Sequence, residues 1–273
     1  MQRILRFTLL GLVGCGAPKG AEDDSDWWQP GTPYDVLETV EFTDVPYDFT
    51  GETPIADVPV VAPFAVEWAD EGFALPMCPD WSTSQDLPVE ITGIVTILPR
   101  YYFKSDGCNG DAEKFYGSYF IQDATGGYFV LGDSKTSHFQ AGARVTLSIR
   151  GLANRFDLPM VVGHDTLEVS AEPEPIYYEV ANGPFALEDI AQVRRITGVV
   201  SSETDTFGAF TITGDDGTIW VIGLDIELNR RGIRYEPGTR ITATGPVQYS
   251  FSTFEIVVMQ KGQIQVLAES SGE

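Results

Sequence analysis

The chain repeats itself. Ile91-Thr92-Gly93-Ile94-Val95 returns as Ile196-Thr197-Gly198-Val199-Val200. Gly117-Ser118-Tyr119-Phe120-Ile121, followed by Asp123 and Gly126, returns as Gly208-Ala209-Phe210-Thr211-Ile212, followed by Asp215 and Gly217. Ala141-Gly142-Ala143-Arg144-Val145 matches Pro237-Gly238-Thr239-Arg240-Ile241, and Val161-Val162 matches Val257-Val258. The leaders Gly72-Phe73-Ala74-Leu75 and Gly183-Pro184-Phe185-Ala186-Leu187 agree as well. Order is kept throughout, and the offset stays between 91 and 111 residues. Such a pattern calls for one folding unit built twice, each copy large enough to hide its own core.

Alternation and turn residues divide the first copy into strands near 89–98, 118–124, 127–133, 143–153 and 158–169. Ala124-Thr125-Gly126 and Asp215-Asp216-Gly217 make tight turns between strands two and three, with Gly supplying positive φ. Gly93 and Gly198 fall mid-strand, where a glycine marks a sharp bend or bulge. A connector without strand character follows strand three, at 134–140 and 226–235. Five strands, a coiled first strand and that connector describe an OB barrel. The expected fold is all-β, with two tandem five-stranded OB-type Greek-key barrels at 61–170 and 171–273. An extended acidic tether at 15–60 and a signal segment at 1–14 precede them. The repeated segments resemble OB domains of exported bacterial proteins, some of which accompany extracellular nucleases. Copy two departs from that pattern at Thr211-Ile212-Thr213-Gly214-Asp215.

Two arginines and the apolar run Phe7–Gly14 precede Cys15, the layout of an export signal. The run is too short to span a bilayer, which takes about 20 residues. Leu12-Val13-Gly14-Cys15 resembles the bacterial lipobox. The resemblance implies cleavage before Cys15, a lipid anchor there and, through Gly16, residence at the outer membrane. The alternative is an ordinary secretory signal cut after Ala17, which would place Pro18 just beyond the scissile bond. Cys78 and Cys108 then remain, suited to one disulfide in an oxidising compartment or to two buried thiols. No CxxC pair exists and only His138 and His164 supply imidazole, so no zinc site and no cofactor is expected.

The formal charge is −23, and it is unevenly spread. Residues 15–86 set sixteen carboxylates against one lysine, whereas 87–170 carry nine against seven basic side chains and 171–273 fifteen against seven. Acidity, Pro and Gly make 16–59 a poor core former and a good tether, although Tyr34, Phe42, Tyr47 and Phe49 are unusual in a spacer. A chain without a basic region disfavours nucleic acid as a partner, since such binding rests on neutralising phosphates.

OB barrels take ligands on the strand 2–3 face and in the loops after strands one and four. Candidate ligand-binding residues there are Tyr101, Tyr102, Phe103, Tyr116, Tyr119, Tyr128, Arg155 and Phe156 in copy one. Trp220 and Tyr249, with Phe207, Phe210 and Phe251 beside them, are the counterparts in copy two. Exposed rings would stack bases or sugars, and buried ones would fill the barrel. Tyr101–Phe103 lies in an insertion that copy two lacks, with Asp106, Asn109, Asp111 and Glu113 nearby in no EF-hand order. Arg230, Arg231, Arg234 and Arg240 are the one basic concentration, interleaved with Asp225, Glu227 and Glu236. Neither a Gly-x-Ser-x-Gly elbow, nor a phosphate-binding glycine loop, nor His-Glu-x-x-His is present. The expectation is a non-catalytic binding or scaffolding lipoprotein of the cell envelope with a protein or glycan ligand. The alternative is an oligonucleotide-binding surface protein or nuclease accessory.

Overall fold

A computed structural model describes residues 40–70, 81–106, 112–132, 140–155, 157–250 and 252–267. Strands β1 (Val89–Val95), β2 (Ala112–Gln122), β3 (Gly127–Val130), β4 (Arg144–Arg155) and β5 (Leu158–Val169) form the first barrel. They pair in the order β4-β1-β2-β3-β5, and β4 against β5 closes the ring. The second barrel repeats this with β6 (Val193–Val200), β7 (Ala209–Thr213), β8 (Ile219–Leu224), β9 (Arg240–Ser250) and β10 (Thr253–Val258). Its order is β6-β7-β8-β10-β9, closed by β6 against β9. Helix α1 (Ile226–Arg230) fills the connector between β8 and β9. Two closed five-stranded barrels of OB type are therefore the architecture.

Closure asks strand one to serve two neighbours, and both copies solve this at the same glycine. In barrel one Gly93 pairs with Val145 of β4, and the next residue, Ile94, pairs with Arg144 and also with Gln122 of β2. In barrel two Gly198 pairs with Ile241, and Val199 pairs with both Arg240 and Thr213. A Cβ on Gly93 would lie 2.8 Å from the Gln122 carbonyl, and one on Gly198 2.5 Å from the Thr213 carbonyl. No backbone can yield that much inside a sheet. One residue earlier, Thr92 and Thr146 share a hydroxyl hydrogen bond of 3.0 Å, and Thr197 and Thr242 share one of the same length. The duplication thus extends to side-chain pairs across the sheet.

Inward positions carry the core, with Ile91, Ile121, Val130 and Leu147 in barrel one and Phe210, Ile222, Ile241 and Ile256 in barrel two all fully buried. The buried set runs on from one barrel into the other. Gln122 bridges them, its Oε1 accepting from the Val193 N–H at 2.8 Å. Gly127 meets Ala191 so closely that a Cβ would sit 2.2 Å from the Ala191 carbonyl.

The tether expected over 15–60 needs correction from residue 40 onward. Phe42–Thr43 pairs in parallel with Ile176–Tyr177 of the link between barrels. Val40, Phe42, Tyr47 and Phe49 pack on a small cluster of Ile94, Ala141, Ile176 and Val193. Tyr47 accepts a hydrogen bond from the Tyr177 N–H at 2.9 Å, and the Arg144 guanidinium lies 3.8 Å over the Phe49 ring. A 3-10 turn at Ile55–Asp57 buries Ile55, whose N–H donates to Asp123 Oδ2 at 3.0 Å. These aromatics supply the apolar surface that composition averaged over the whole stretch concealed. Cys15, Cys78 and Cys108 lie outside the described residues.

Gly198→Ala is expected to destabilise the protein by about 1–3 kcal/mol, the range for overpacking a well-filled site, and Gly93→Ala to behave alike. Thermal denaturation checks this, and an unchanged midpoint in both would contradict the closure account.

Candidate functional site

The aromatic candidates do not converge. Tyr119 is 1% exposed, with its ring 6.4 Å from that of His164, and Tyr128 points inward with its hydroxyl donating to the Pro59 carbonyl at 3.0 Å. Trp220 is buried and donates from Nε1 to the Gly183 carbonyl at 3.0 Å, while its ring covers Gly214. Phe210 is buried and stacks on Tyr235 at 5.6 Å. These four rings serve the barrels, and none is open to a ligand. Arg155 holds the Phe64 carbonyl from Nη1 at 3.2 Å. Tyr102, Phe103 and Tyr116 belong to a hairpin in which Tyr101–Asp106 pairs antiparallel with the first half of β2, but their side chains lie outside the described residues. Phe156 and Phe251 do too. Among the described residues no cluster of acidic, His or Cys side chains could hold a metal ion.

A different group does come together, on the outer face of barrel two. Ala209 of β7 pairs with Gly223 of β8, and these two small residues leave a depression in the sheet. The depression is a cavity of about 330 Å³. Its walls come from Thr206 and Phe207 in the β6–β7 loop, from Asp225, Ile226 and Asn229 in and before α1, and from Glu255 of β10. Tyr101 of the first barrel's hairpin completes it. That residue reaches across because its hydroxyl donates to Gln248 Oε1 of β9 at 2.6 Å.

The loop is held from both sides. Asp205 Oδ1 accepts from the Phe207 and Ala209 N–H groups at 2.8 Å each, and Asn229 Nδ2 donates to the Thr206 carbonyl at 3.0 Å. Phe207 nevertheless stands 87% exposed at the apex. An apolar ring fixed in water by a tied-down loop is the kind of exposed group that marks a binding surface. In the β9–β10 hairpin Tyr249 and Phe254 pair across the strands with ring centroids 4.5 Å apart, half-buried on the face of the sheet opposite Glu255, so they do not join the cavity.

Charge around the cavity is mixed. Arg231 pairs with Glu227 one turn back at 2.9 Å, and Arg240 grips Asp215 with two bonds of 2.8 and 2.6 Å. Arg230 and Arg234 are exposed beside the loop. Inside, burial pushes the Asp225 carboxyl up to about 7, although it accepts the Glu227 N–H at 2.9 Å as the cap of α1. Burial, with Asp205 nearby, raises Glu255 as well, and its carboxylate lies over Gly223. Burial and the two carboxylates Glu255 and Asp225 raise the Tyr101 phenol. Sequence reading found Phe207 and the arginines one by one. Asn229, Gly223 and Glu255 carry no signal in a linear pattern.

No family model matches the chain, and no curated protein does. Solved structures do match. The S. pombe Stn1–Ten1 complex is 19% identical, with 28% of this chain and 59% of that one covered and a TM-score of 0.24. A murine DNA-binding protein bound to double-stranded DNA is 10% identical, with 66% of this chain and 97% of that one covered and a TM-score of 0.31. A replication protein A heterotrimer bound to single-stranded DNA is 10% identical, covering 67% of this chain and 49% of that one at a TM-score of 0.31. The chain thus spans only part of two of these three. Two of the three are complexes with DNA, which stands against the expectation of a protein or glycan ligand with nucleic acid disfavoured. The charge argument behind that expectation counted net charge by segment, and such a count does not see where Arg230 and Arg234 stand exposed.

Asp225 yields a pH prediction. Its folded value of about 7 stands above the ordinary 3.8, so the folded state holds the proton more tightly than the unfolded one. Its contribution to stability is therefore present at low pH and lost as pH rises from about 4 to about 7, by at most about 4 kcal/mol. Asp225→Asn keeps a capping oxygen and removes the titration. Thermal melts across that range should show the variant gaining on the parent as pH rises, and parallel profiles would contradict it.

Proposed function

We propose that the second barrel binds single-stranded nucleic acid across its β7–β8 face, on a protein held at the bacterial cell envelope by a lipid on Cys15. The observation that carries the binding reading is Phe207, 87% exposed on a loop fixed by Asp205 and Asn229. An aromatic ring so placed is a stacking platform, worth about 1–3 kcal/mol per base in single-strand binders. Arg230 and Arg234 are exposed at the end of α1 and just after it, Arg234 with Nη1 on the Asn229 and Ile233 carbonyls, and guanidinium is the group best shaped for a phosphate flanking the stacked base. The anchoring part of the reading draws on the basic start, the short apolar run and the lipobox resemblance of Leu12-Val13-Gly14-Cys15. Two acyl chains or more give lasting attachment where one does not. Among the described residues no helix is long and apolar enough to cross a membrane.

Fluorescence titration of the full chain with labelled oligo(dT) at low salt tests the binding. Phe207→Ala should weaken it by about 1–3 kcal/mol. Arg230→Ala should flatten the slope of log K against log salt by about 0.7, one phosphate on a single strand. Affinity weaker than millimolar in the parent at low salt would end the reading. Separately, Cys15→Ser should move the protein from the membrane to the soluble fraction, and persistence in the membrane would refute lipid anchoring.

A further inference from the structure

The cavity beside Phe207 has in its wall a carboxylate that no described donor satisfies. Glu255 lies over Gly223, and a Cβ on that glycine would meet its Oε2 at 2.8 Å. No described residue donates a hydrogen bond to its carboxylate, and an ionised carboxylate only accepts. Asn229, another wall residue, gives one of its two amide N–H groups to the Thr206 carbonyl and leaves Oδ1 without a partner among the described residues. The Tyr101 hydroxyl is already committed to Gln248. The Glu255 carboxylate and the Asn229 Oδ1 are therefore acceptors still open in the wall, beside the Phe207 ring.

We infer that this cavity reads a guanine base of the bound strand, with Glu255 accepting from N1–H and the 2-amino group while Phe207 stacks on the ring. The inference rests on the nucleic-acid reading above. Guanine is the base with two donors side by side on one edge, and the two oxygens of a carboxylate match that pair. Adenine and cytosine set a ring nitrogen acceptor beside their amino group, which would face the carboxylate lone pairs. Thymine and uracil flank their one N–H with carbonyls on both sides. Gly223 is what allows the geometry, because a side chain there would push the carboxylate off the floor of the cavity. Asp225 is turned to its own task at the start of α1. Discrimination then comes from a buried acceptor left unpaired by the wrong base, and selectivity of that kind is large relative to the bond itself.

The test uses the full chain and short oligo(dT) strands with one central position varied. A central dG should bind about tenfold more tightly than dA, dC or dT, the scale of one good bidentate base contact. Deoxyinosine, which keeps N1–H and lacks the 2-amino group, should lose most of that gain. Glu255→Gln should abolish the preference for dG over dT, and Gly223→Ala should reduce it by displacing the carboxylate. Phe207→Ala should weaken all strands together. Equal affinity for every central base in the parent overturns the guanine pocket and leaves the general reading standing. Failure to bind any strand overturns both, and the parent protein alone suffices to separate those outcomes.

Discussion

Everything here follows from a sheet that closes on itself. A closed five-stranded ring leaves no edge unpaired, but it forces the first strand to lean on strand four at one end and strand two at the other. The handover happens within one residue step, at Gly93–Ile94 and at Gly198–Val199, where the neighbouring backbone comes too near for any side chain. With the interior sealed by residues such as Ile121 and Phe210, the outer face and the loops are freed from packing duties. Function has room to settle there.

The two barrels then diverge in what they do with that freedom. Barrel one covers itself, since the 40–61 segment runs against it, buries Ile55, Val58 and Val61, and occupies Tyr128, Asp123 and Asn154 with hydrogen bonds. Barrel two leaves its β7–β8 face open at Ala209 and Gly223 and raises Phe207 beside it. The first barrel still reaches that face, through the hairpin that carries Tyr101 to Gln248. An insertion in one copy thereby becomes a wall of a cavity on the other. A duplicated fold has in this way been given unequal roles without any change in topology.

Much of the fold was legible beforehand because barrels are written in local signals. Period-two alternation, the Asp-Gly turns and the mid-strand glycines located strands to within a few residues, with β5 and the start of β4 close to their expected limits. Larger errors have physical causes. The second strand begins at Ala112, because pairing with Tyr101–Asp106 lengthens it. The supposed tether is structured from residue 40, because Phe42, Tyr47 and Phe49 found a groove between the link and Arg144 that no local pattern announces. For the site, residue type misled. Tyr119, Tyr128 and Trp220 looked like stacking rings and proved to be packing or hydrogen-bonding groups, while Glu255 and Asn229 looked like ordinary surface polar residues.

What the amino-acid order determined by itself was the unit and its repetition, since strand period, turn glycines and the matched blocks are properties of neighbours along the chain. Only the tertiary structure decided which face stayed open. Whether a ring at an alternating position points to the core or to water depends on which side the closed sheet encloses and on what lies over the other. That is settled by residues such as Tyr101 and Gln248, or Phe49 and Arg144, which are distant in sequence and meet only after both barrels have formed.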